Sequence, residues 1–232
     1  MTKKGLGEAS GFRIPKAIST ELREHLEQRI VFGDIAAGSR LVEEDVVSEY
    51  DVSRSPVREA LRMLEQDGLL VRESRRGLKV GNLTIEDLDE VYSCRLALEK
   101  MAAEQAAKKR TDADIAALRN AVCQLEEVQG DTKHFFKINL QLSDKIYESS
   151  HNHTLIRLLQ SISKQAMRYR YFAYQTNPML TSLSVNSNRA IIEAIELSNP
   201  DHASALTRDV IGKSWNSIRA TLEKGSVPTE CS

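Results

Sequence analysis

The segment DVSRSPVREALRMLEQDGLL, residues 51–70, constrains the fold more than any other part of the chain. Its apolar residues recur at helical spacing and share one face: Val57, Leu61 and Leu64. We expect a helix that opens at Ser55, whose hydroxyl can cap free backbone donors, with Pro56 at its first position, where the missing N–H costs nothing. Gly68 should end this helix. The segment therefore predicts a short amphipathic helix with a charged outer side.

Two helices are expected before this one and a β-hairpin after it. Apolar residues at every fourth position over 18–32 predict an amphipathic helix that Gly33 ends. A shorter helix over 41–50 leads to Asp51, a residue that tolerates a left-handed turn. The sequence LLVRESRRGLKV predicts two short strands joined by a turn at 74–77. Three short helices followed by a hairpin are typical of a winged helix-turn-helix, whose third helix enters the major groove of DNA.

Arginines lie on the outer side of the third helix, with Arg54 and Arg58 at its leading end. The planar guanidinium group suits this place because it can donate paired hydrogen bonds to O6 and N7 of guanine. The chain has a net charge of −1, but residues 52–80 contain seven basic and four acidic residues, so the basic surface is local. In the alternative interpretation, these arginines only pair with Glu59 and Glu65 on a solvated helix face. The hairpin and the Ser-Pro start favour DNA.

The longer segment GSRLVEEDVVSEYDVSRSPVREALRMLEQDGLLVRESRRGLKV resembles the GntR-family DNA-binding domain, whose members share a V-S-R-[ST]-P-V-R-E-A-L core and an R-G wing. The resemblance covers roughly the first 80 residues, with Ala37 where the family commonly has proline and Asp51 where it commonly has glycine. It implies a homodimeric transcription factor on a short inverted repeat of double-stranded DNA. It also implies base or phosphate contacts from six residues: Ser53, Arg54, Ser55, Arg58 and the wing residues Arg76 and Gly77.

Glycine becomes rare from residue 82 onward, and the pattern becomes helical throughout. We therefore divide the chain into a winged helix-turn-helix domain over 1–81 and an all-helical domain over 82–232. Six helices are expected in the second domain: 84–109, 111–129, 133–149, 154–174, 179–197 and 200–224. Capping boxes are expected at two of their starts, formed by Thr84 with Asp87 and by Thr111 with Asp114. The predicted fold is mainly α, with an N-terminal winged helix-turn-helix and a C-terminal helical bundle.

Polar residues interrupt the apolar stripes of the helical part. They are Arg95 in its first helix, Asn139 and Ser143 in its third, Asn188 in its fifth and Asp209 in its last. A buried polar group without a partner costs about 1 to 3 kcal/mol, so several of them together predict a polar cavity that binds a small molecule. We expect Arg95 to hold an effector such as an organic acid, with Asp209 as its counter-charge. The alternatives are surface pairs of Arg95 with Glu99 and of Asp209 with Lys213.

Three segments of the helical part resemble the FCD ligand-binding domain of FadR-type GntR regulators: YSCRLALEKMAAEQAA, INLQLSDKIYESSHNHTLIRLL and NRAIIEAIE. Many such domains bind a divalent metal through an aspartate and three histidines. The corresponding positions here are Asn139, Ser143, Asn188 and Asp209. Neutral amide and hydroxyl oxygens have little affinity for zinc or nickel, and the five histidines are not spaced to share an ion. We expect no bound metal and no other cofactor.

Cysteine usage and hydropathy bound the location of the protein. Cys94, Cys123 and Cys231 lie far apart and are odd in number, which excludes a C-x-x-C metal knuckle and a disulfide framework. No apolar run approaches the roughly 20 residues of a membrane span, and the start MTKKGLGEAS does not lead into a signal-peptide core. We expect a cytoplasmic protein without a membrane partner.

Three functions compete at this point. The leading one is a ligand-responsive DNA-binding regulator, a homodimer that represses a metabolic operon and whose winged domains change spacing when an effector binds. A constitutive regulator whose helical domain only dimerises is the second, but a dimerisation domain needs no polar cavity. An enzyme with a site in the helical cavity is the third. The sequence offers it no Cys/His or Ser/His/Asp arrangement and no phosphate loop, so we expect no catalytic residues.

Overall fold

A computed structural model describes residues 18–73 and 77–225. Within these ranges the chain is mainly helical, with one small sheet, as the sequence predicts. The elements in chain order are α1 (Ile18–Phe32), β1 (Arg40–Leu41), α2 (Glu43–Tyr50), α3 (Arg54–Gln66), β2 (Leu70–Glu73), β3 (Gly77–Val80), α4 (Ile85–Lys109), α5 (Asp112–Glu127), α6 (Thr132–Glu148), α7 (His153–Thr176), α8 (Met179–Glu196) and α9 (Pro200–Gly225). None of the helices in the described ranges is both long and apolar enough to cross a bilayer.

The first three helices and the sheet share one apolar core. Its fully buried residues come from α1, α3 and the strands, and include Leu26, Val57, Leu64, Leu70 and Val80. The sheet is antiparallel with strand order β1-β3-β2. The hairpin of β2 and β3 is the predicted wing, although its tip at 74–76 lies outside the described residues. This arrangement confirms the winged helix-turn-helix.

Helix α3 begins earlier than the sequence pattern suggests. Its first residue is Arg54, and Ser53 takes the N-cap position in an extended conformation without a side-chain capping bond. The expected start at Ser55 was therefore wrong, and Pro56 is the third residue of the helix. Proline is tolerated there because N–H groups of the first turn have no acceptor within a helix. Before α3, Asp51 adopts the left-handed turn with φ of 50°.

The six helices of the second part end within two residues of their predicted bounds. The capping box of Thr111 and Asp114 is present in both directions. At the start of α4, the Thr84 hydroxyl accepts from the Asp87 N–H, but the Asp87 carboxylate accepts from the Tyr169 hydroxyl at 2.7 Å. The Thr84 N–H donates to the same hydroxyl at 3.1 Å. Tyr169 of α7 thus replaces the second half of the predicted box, because α7 packs against this end of α4.

Helix α7 joins the two parts of the protein. Arg168 donates to the Gly81 carbonyl at 2.5 Å, and Lys164 donates to the Asp67 carboxylate at 3.0 Å. The ring of Phe32, the last residue of α1, packs edge-on against Tyr171 with the centroids 4.9 Å apart. One side of α7 therefore carries the winged part. The division of the chain at residue 82 stays a prediction.

Candidate DNA-binding face and effector cavity

The exposed side of α3 carries the arginines expected to contact DNA. The Arg58 side chain is 66% exposed, and its Nε donates to both carboxylate oxygens of Glu43 at 2.8 and 2.9 Å. Arg54 lies 3.6 Å from the Glu44 carboxylate. Both partners belong to the first turn of α2, so neither arginine uses the predicted intrahelical partners. Exposed pairs of this kind contribute little stability, which leaves both arginines available to exchange a carboxylate for DNA.

The other predicted contacts lie close to these arginines or on the wing. Ser53 and Ser55 are exposed at the start of α3, beside Arg54. Gly77 has a φ of +84°, a conformation that residues with a side chain rarely adopt, and it starts the returning strand of the hairpin. Arg76 lies outside the described residues. The structure therefore brings Ser53 and the three α3 residues together at the start of that helix.

A cavity of about 170 Å³ lies within the helical part. Four of the five predicted effector residues line it: Arg95, Asn139, Ser143 and Asn188. Its remaining polar or charged side chains include Glu99, Tyr147, Arg170, Tyr174, Ser184, Thr207 and Lys213, and its apolar side chains include Ile146, Ile191 and Val210. Residues of α4, α6, α7, α8 and α9 thus converge on one mixed polar and apolar space.

The two asparagines belong to one hydrogen-bond chain. Asn188 donates its side-chain amide to the Asn139 carbonyl oxygen at 3.0 Å, and Asn139 donates to the Tyr174 hydroxyl at 2.7 Å. The Tyr174 hydroxyl is 2.9 Å from Ser184 Oγ. Burial raises the pKa of Tyr174, so its hydroxyl stays protonated at neutral pH. The chain holds the side chains on the α6, α7 and α8 walls in fixed orientations.

Arg95 is buried, as its place on an apolar stripe predicts, and its partner is Glu99. Only 5% of Arg95 is exposed, and its Nε and Nη2 each lie 2.8 Å from the same Glu99 oxygen. Its guanidinium also lies over the Tyr92 ring, 4.6 Å from the centroid. The alternative of an Arg95–Glu99 pair one helical turn apart is therefore correct, except that the pair is buried.

The expected role of Asp209 was wrong. Its side chain is 53% exposed on the outer side of α9, where it accepts from Arg208 at 3.0 Å. Five α9 residues line the cavity, and four of them share one face at spacings of three and four positions: Thr207, Val210, Ile211 and Ser214. The fifth, Lys213, is an exposed residue. Asp209 follows Thr207 by two residues, which places it on roughly the opposite side of the helix. It therefore cannot neutralise Arg95, and its alternative partner Lys213 lines the cavity instead.

Sequence reasoning missed Arg170, a second buried arginine of the cavity. Only 7% of this residue is exposed. Its Nη2 donates to Ser143 Oγ at 3.1 Å, whereas its Nη1 is buried without a hydrogen-bond partner. A signal was available in α7, because Ser163, Ala166, Arg170 and Ala173 follow one another at spacings of three and four. Because the other residues of this stripe are serine and alanine, the sequence does not mark this side of α7 as buried.

Two family models match the chain. The model described as "Bacterial regulatory proteins, gntR family" matches residues 18–80, and the model described as "FCD domain" matches residues 90–213. The second match covers more than half of the sequence. The chain is a GntR-family regulator with an FCD domain. This combination of domains is that of the FadR-type subfamily of GntR regulators.

Relatives of this GntR regulator are transcriptional regulators, not enzymes. The uncharacterised HTH-type transcriptional regulator YdhC of Bacillus subtilis (strain 168) is 27% identical over 91% of this chain and 95% of its own. The probable D-xylose utilization operon transcriptional repressor of Paenarthrobacter nicotinovorans is 26% identical over 83% and 85%. Among solved structures, E. coli McbR/YncC has a TM-score of 0.77 at 20% identity, covering 88% and 98%, which shows a shared fold.

The metal-binding positions of many FCD domains do not fit a divalent ion in this GntR regulator. Asn139 and Asn188 use their amides on each other and on Tyr174. Ser143 accepts from Arg170, so a full positive charge lies against the place where a cation would sit. Among the residues that the structure describes, no three His, Cys, Asp or Glu side chains form a metal-binding group. That this cavity works without a metal stays a prediction.

Proposed function

We propose that this GntR regulator is a ligand-responsive repressor of a metabolic operon, which binds a short inverted repeat in the cytoplasm as a homodimer. The observation that carries the proposal is the cavity, because a helical domain that served only to dimerise would not need buried arginines and amides in an open space. The name of the Paenarthrobacter relative supports repression of a catabolic operon. DNA binding itself is a property of the family.

For DNA recognition, we propose that Arg54 and Arg58 contact base edges in the major groove. Ser53 and Ser55 contact phosphates at the start of the recognition helix α3, and Arg76 and Gly77 contact the backbone from the wing. When α3 enters the groove, Arg58 exchanges the Glu43 carboxylate for a guanine edge. That exchange costs little free energy because the ion pair is exposed to solvent on the Arg58 side.

For the effector, we propose that the cavity binds a small organic acid among Arg95, Asn139, Ser143 and Asn188. The amide chain supplies donors and acceptors in fixed orientations, and the arginines give the space a positive potential. Residues such as Ile191 supply an apolar wall for the rest of the molecule. Asp209 has no part in this set because it lies outside the cavity.

The response is tested on the operator in two steps. Duplexes that bind the full-length protein are first selected from a random library, and we expect an inverted repeat bound by two chains, with light scattering showing a dimer in solution. The affinity for that operator is then measured with pools of organic acids, sugars and amino acids. At least one pool should weaken binding tenfold or more. A monomer on a single half-site, or an affinity that no pool changes, would contradict the proposal.

A further inference from the structure

The charges in the cavity are unbalanced. Among the described residues that line it, three side chains are cationic, Arg95, Arg170 and Lys213, and one is a carboxylate, Glu99. The charge of Glu99 is paired with that of Arg95, two of whose nitrogens lie 2.8 Å from one Glu99 oxygen. Glu99 also lies close enough to the buried Tyr147 hydroxyl for its charge to raise the pKa of that group, after the larger effect of burial. The surplus positive charge therefore lies on Arg170 and Lys213.

Arg170 is the cation that lacks an acceptor inside the protein. Its Nη1 has almost no contact with solvent and makes no hydrogen bond within the described ranges. A buried guanidinium N–H without an acceptor is unfavourable, and buried polar groups are almost always paired. Asp144, the next residue after Ser143, feels the charge of Arg170 but makes no hydrogen bond to it and lines a separate cleft beside α1. An acceptor from outside the protein would complete the site.

We propose that Arg170 is the residue that binds the effector, and that it takes the carboxylate of a small monocarboxylic acid on Nη1. This inference rests on the proposed function and makes it more specific. The guanidinium is already oriented, because Nη2 donates to Ser143 Oγ, which in turn donates to the backbone carbonyl of Asn139 at 3.0 Å. A carboxylate on the remaining nitrogen forms a charge-assisted hydrogen bond, and the side chains that close Nη1 off from solvent must move to admit it. Arg95 instead positions Glu99 and Tyr92.

The size and walls of the cavity restrict the acid further. A volume of about 170 Å³ is enough to hold a molecule of a few carbons. Ile146, Ile191 and Val210 offer an apolar surface, and Asn188 and Ser184 offer hydrogen bonds. Two buried atoms of the cavity lining lack a hydrogen-bond partner among the described residues, Arg170 Nη1 and the Tyr147 hydroxyl, and only the first carries a positive charge that matches one carboxylate. The class is therefore a short monocarboxylate with an apolar or hydroxylated tail.

The test uses the full-length protein with propionate, lactate and valerate, each compared with its uncharged amide at 10 mM. Thermal unfolding is measured for wild type and for Arg170→Gln, Arg170→Lys and Ser143→Ala. Arg189→Gln is the matched control, because Arg189 pairs with Glu126 on the exposed side of α8. The double variant Arg95→Gln/Glu99→Gln removes the internal ion pair without leaving a lone buried charge.

We expect at least one acid to raise the melting temperature of wild type and of Arg189→Gln by about 5 °C, which corresponds to a concentration near 100 times Kd. The amides should raise it by less than 1 °C, roughly the shift expected when the ligand concentration is near or below its Kd. Arg170→Gln should weaken binding at least tenfold, and Ser143→Ala should weaken it less. The double variant should lose less affinity than Arg170→Gln. In protein labelled with 15N-arginine, the Arg170 Nε–H signal, assigned by its loss in Arg170→Lys, should shift as the acid saturates.

The contrary results separate this inference from the proposed function. If Arg170→Gln binds the acids as tightly as wild type, or if the double variant loses more affinity, Arg170 is not the anchor and the effector function stands. If the amides stabilise the protein and the acids do not, the cavity takes neutral molecules and the inference fails alone. If neither series stabilises the protein and no metabolite pool changes operator affinity, both proposals fail.

Discussion

Removing the Arg95 side chain should strongly destabilise the helical part. In Arg95→Met the apolar packing is largely retained, but Glu99 is left as a carboxylate that is only 12% exposed and has lost both donors. Removing one partner of a buried ion pair lowers the free energy of unfolding by about 3 to 5 kcal/mol. The loss of the guanidinium from the face of Tyr92 adds to that cost. For a chain of this size, such a loss lowers the melting temperature by about 6 to 20 °C.

The fluorescence of Trp215, the single tryptophan of the sequence, provides the assay. The Trp215 ring lies 6.1 Å from that of Tyr92, which lies beneath Arg95, so urea unfolding followed through tryptophan emission reports on this region. Arg119→Met is the matched control, since Arg119 pairs with Glu196 on the surface and its loss should cost less than about 1 kcal/mol.

A double-mutant cycle then isolates the ion pair. Arg95→Met combined with Glu99→Leu removes both charges, and we expect it to recover most of the stability lost in Arg95→Met, with a coupling energy of about 2 kcal/mol or more. A loss below about 1 kcal/mol in Arg95→Met would refute the reasoning. It would mean that water reaches Glu99 and screens its charge.

Three further predictions concern DNA and the cleft between the two parts. Arg58→Ala should lower operator affinity by about 1 to 3 kcal/mol and reduce the preference over a scrambled duplex, whereas equal losses on both duplexes would make Arg58 a phosphate contact. Arg76→Ala on the wing should reduce the slope of log affinity against log salt by about one, and an unchanged slope would remove the wing from the interface. Burial raises the pKa of Asp144, so its ionised form is disfavoured in the folded state, and stability is lost as the pH rises from the ordinary carboxyl value through the raised one. Asp144→Asn should therefore raise the melting temperature at pH 7 but not at pH 3, and equal gains at both would show that titration is not the cause.

The helices could be predicted because their signals are local. The Thr111 cap, the left-handed turn at Asp51 and the apolar stripes around Val57 all act within a few residues of the chain. The start of α3 was predicted less well, because its N-cap is Ser53 and not the predicted Ser55.

The site was harder to predict because several of its contacts join residues of different elements. The pairing of Arg58 with Glu43 joins α3 to α2 over fifteen residues, and no periodicity indicates it. Asp209 lies next to the cavity-lining Val210 in the sequence, yet one step along a helix turns a side chain by about 100°. Arg170 was hidden for the opposite reason, because a stripe of serine and alanine does not stand out as buried.

The position of Arg170 on α7 suggests how the cavity can act on the DNA-binding part. Arg170 and Tyr174 face the cavity, whereas Lys164 and Arg168, within two turns on the same helix, hold Asp67 and the Gly81 carbonyl of the winged part. A helix is stiff over this distance, so a small rotation or shift of α7 at the cavity must reach both contacts. Asp67 follows α3 directly and Gly81 follows β3, which places these contacts at the ends of the recognition helix and the wing. An effector that binds Arg170 differently in two positions of α7 would therefore change the orientation of both DNA-contacting elements, and its energetic leverage would equal its difference in affinity for the two positions.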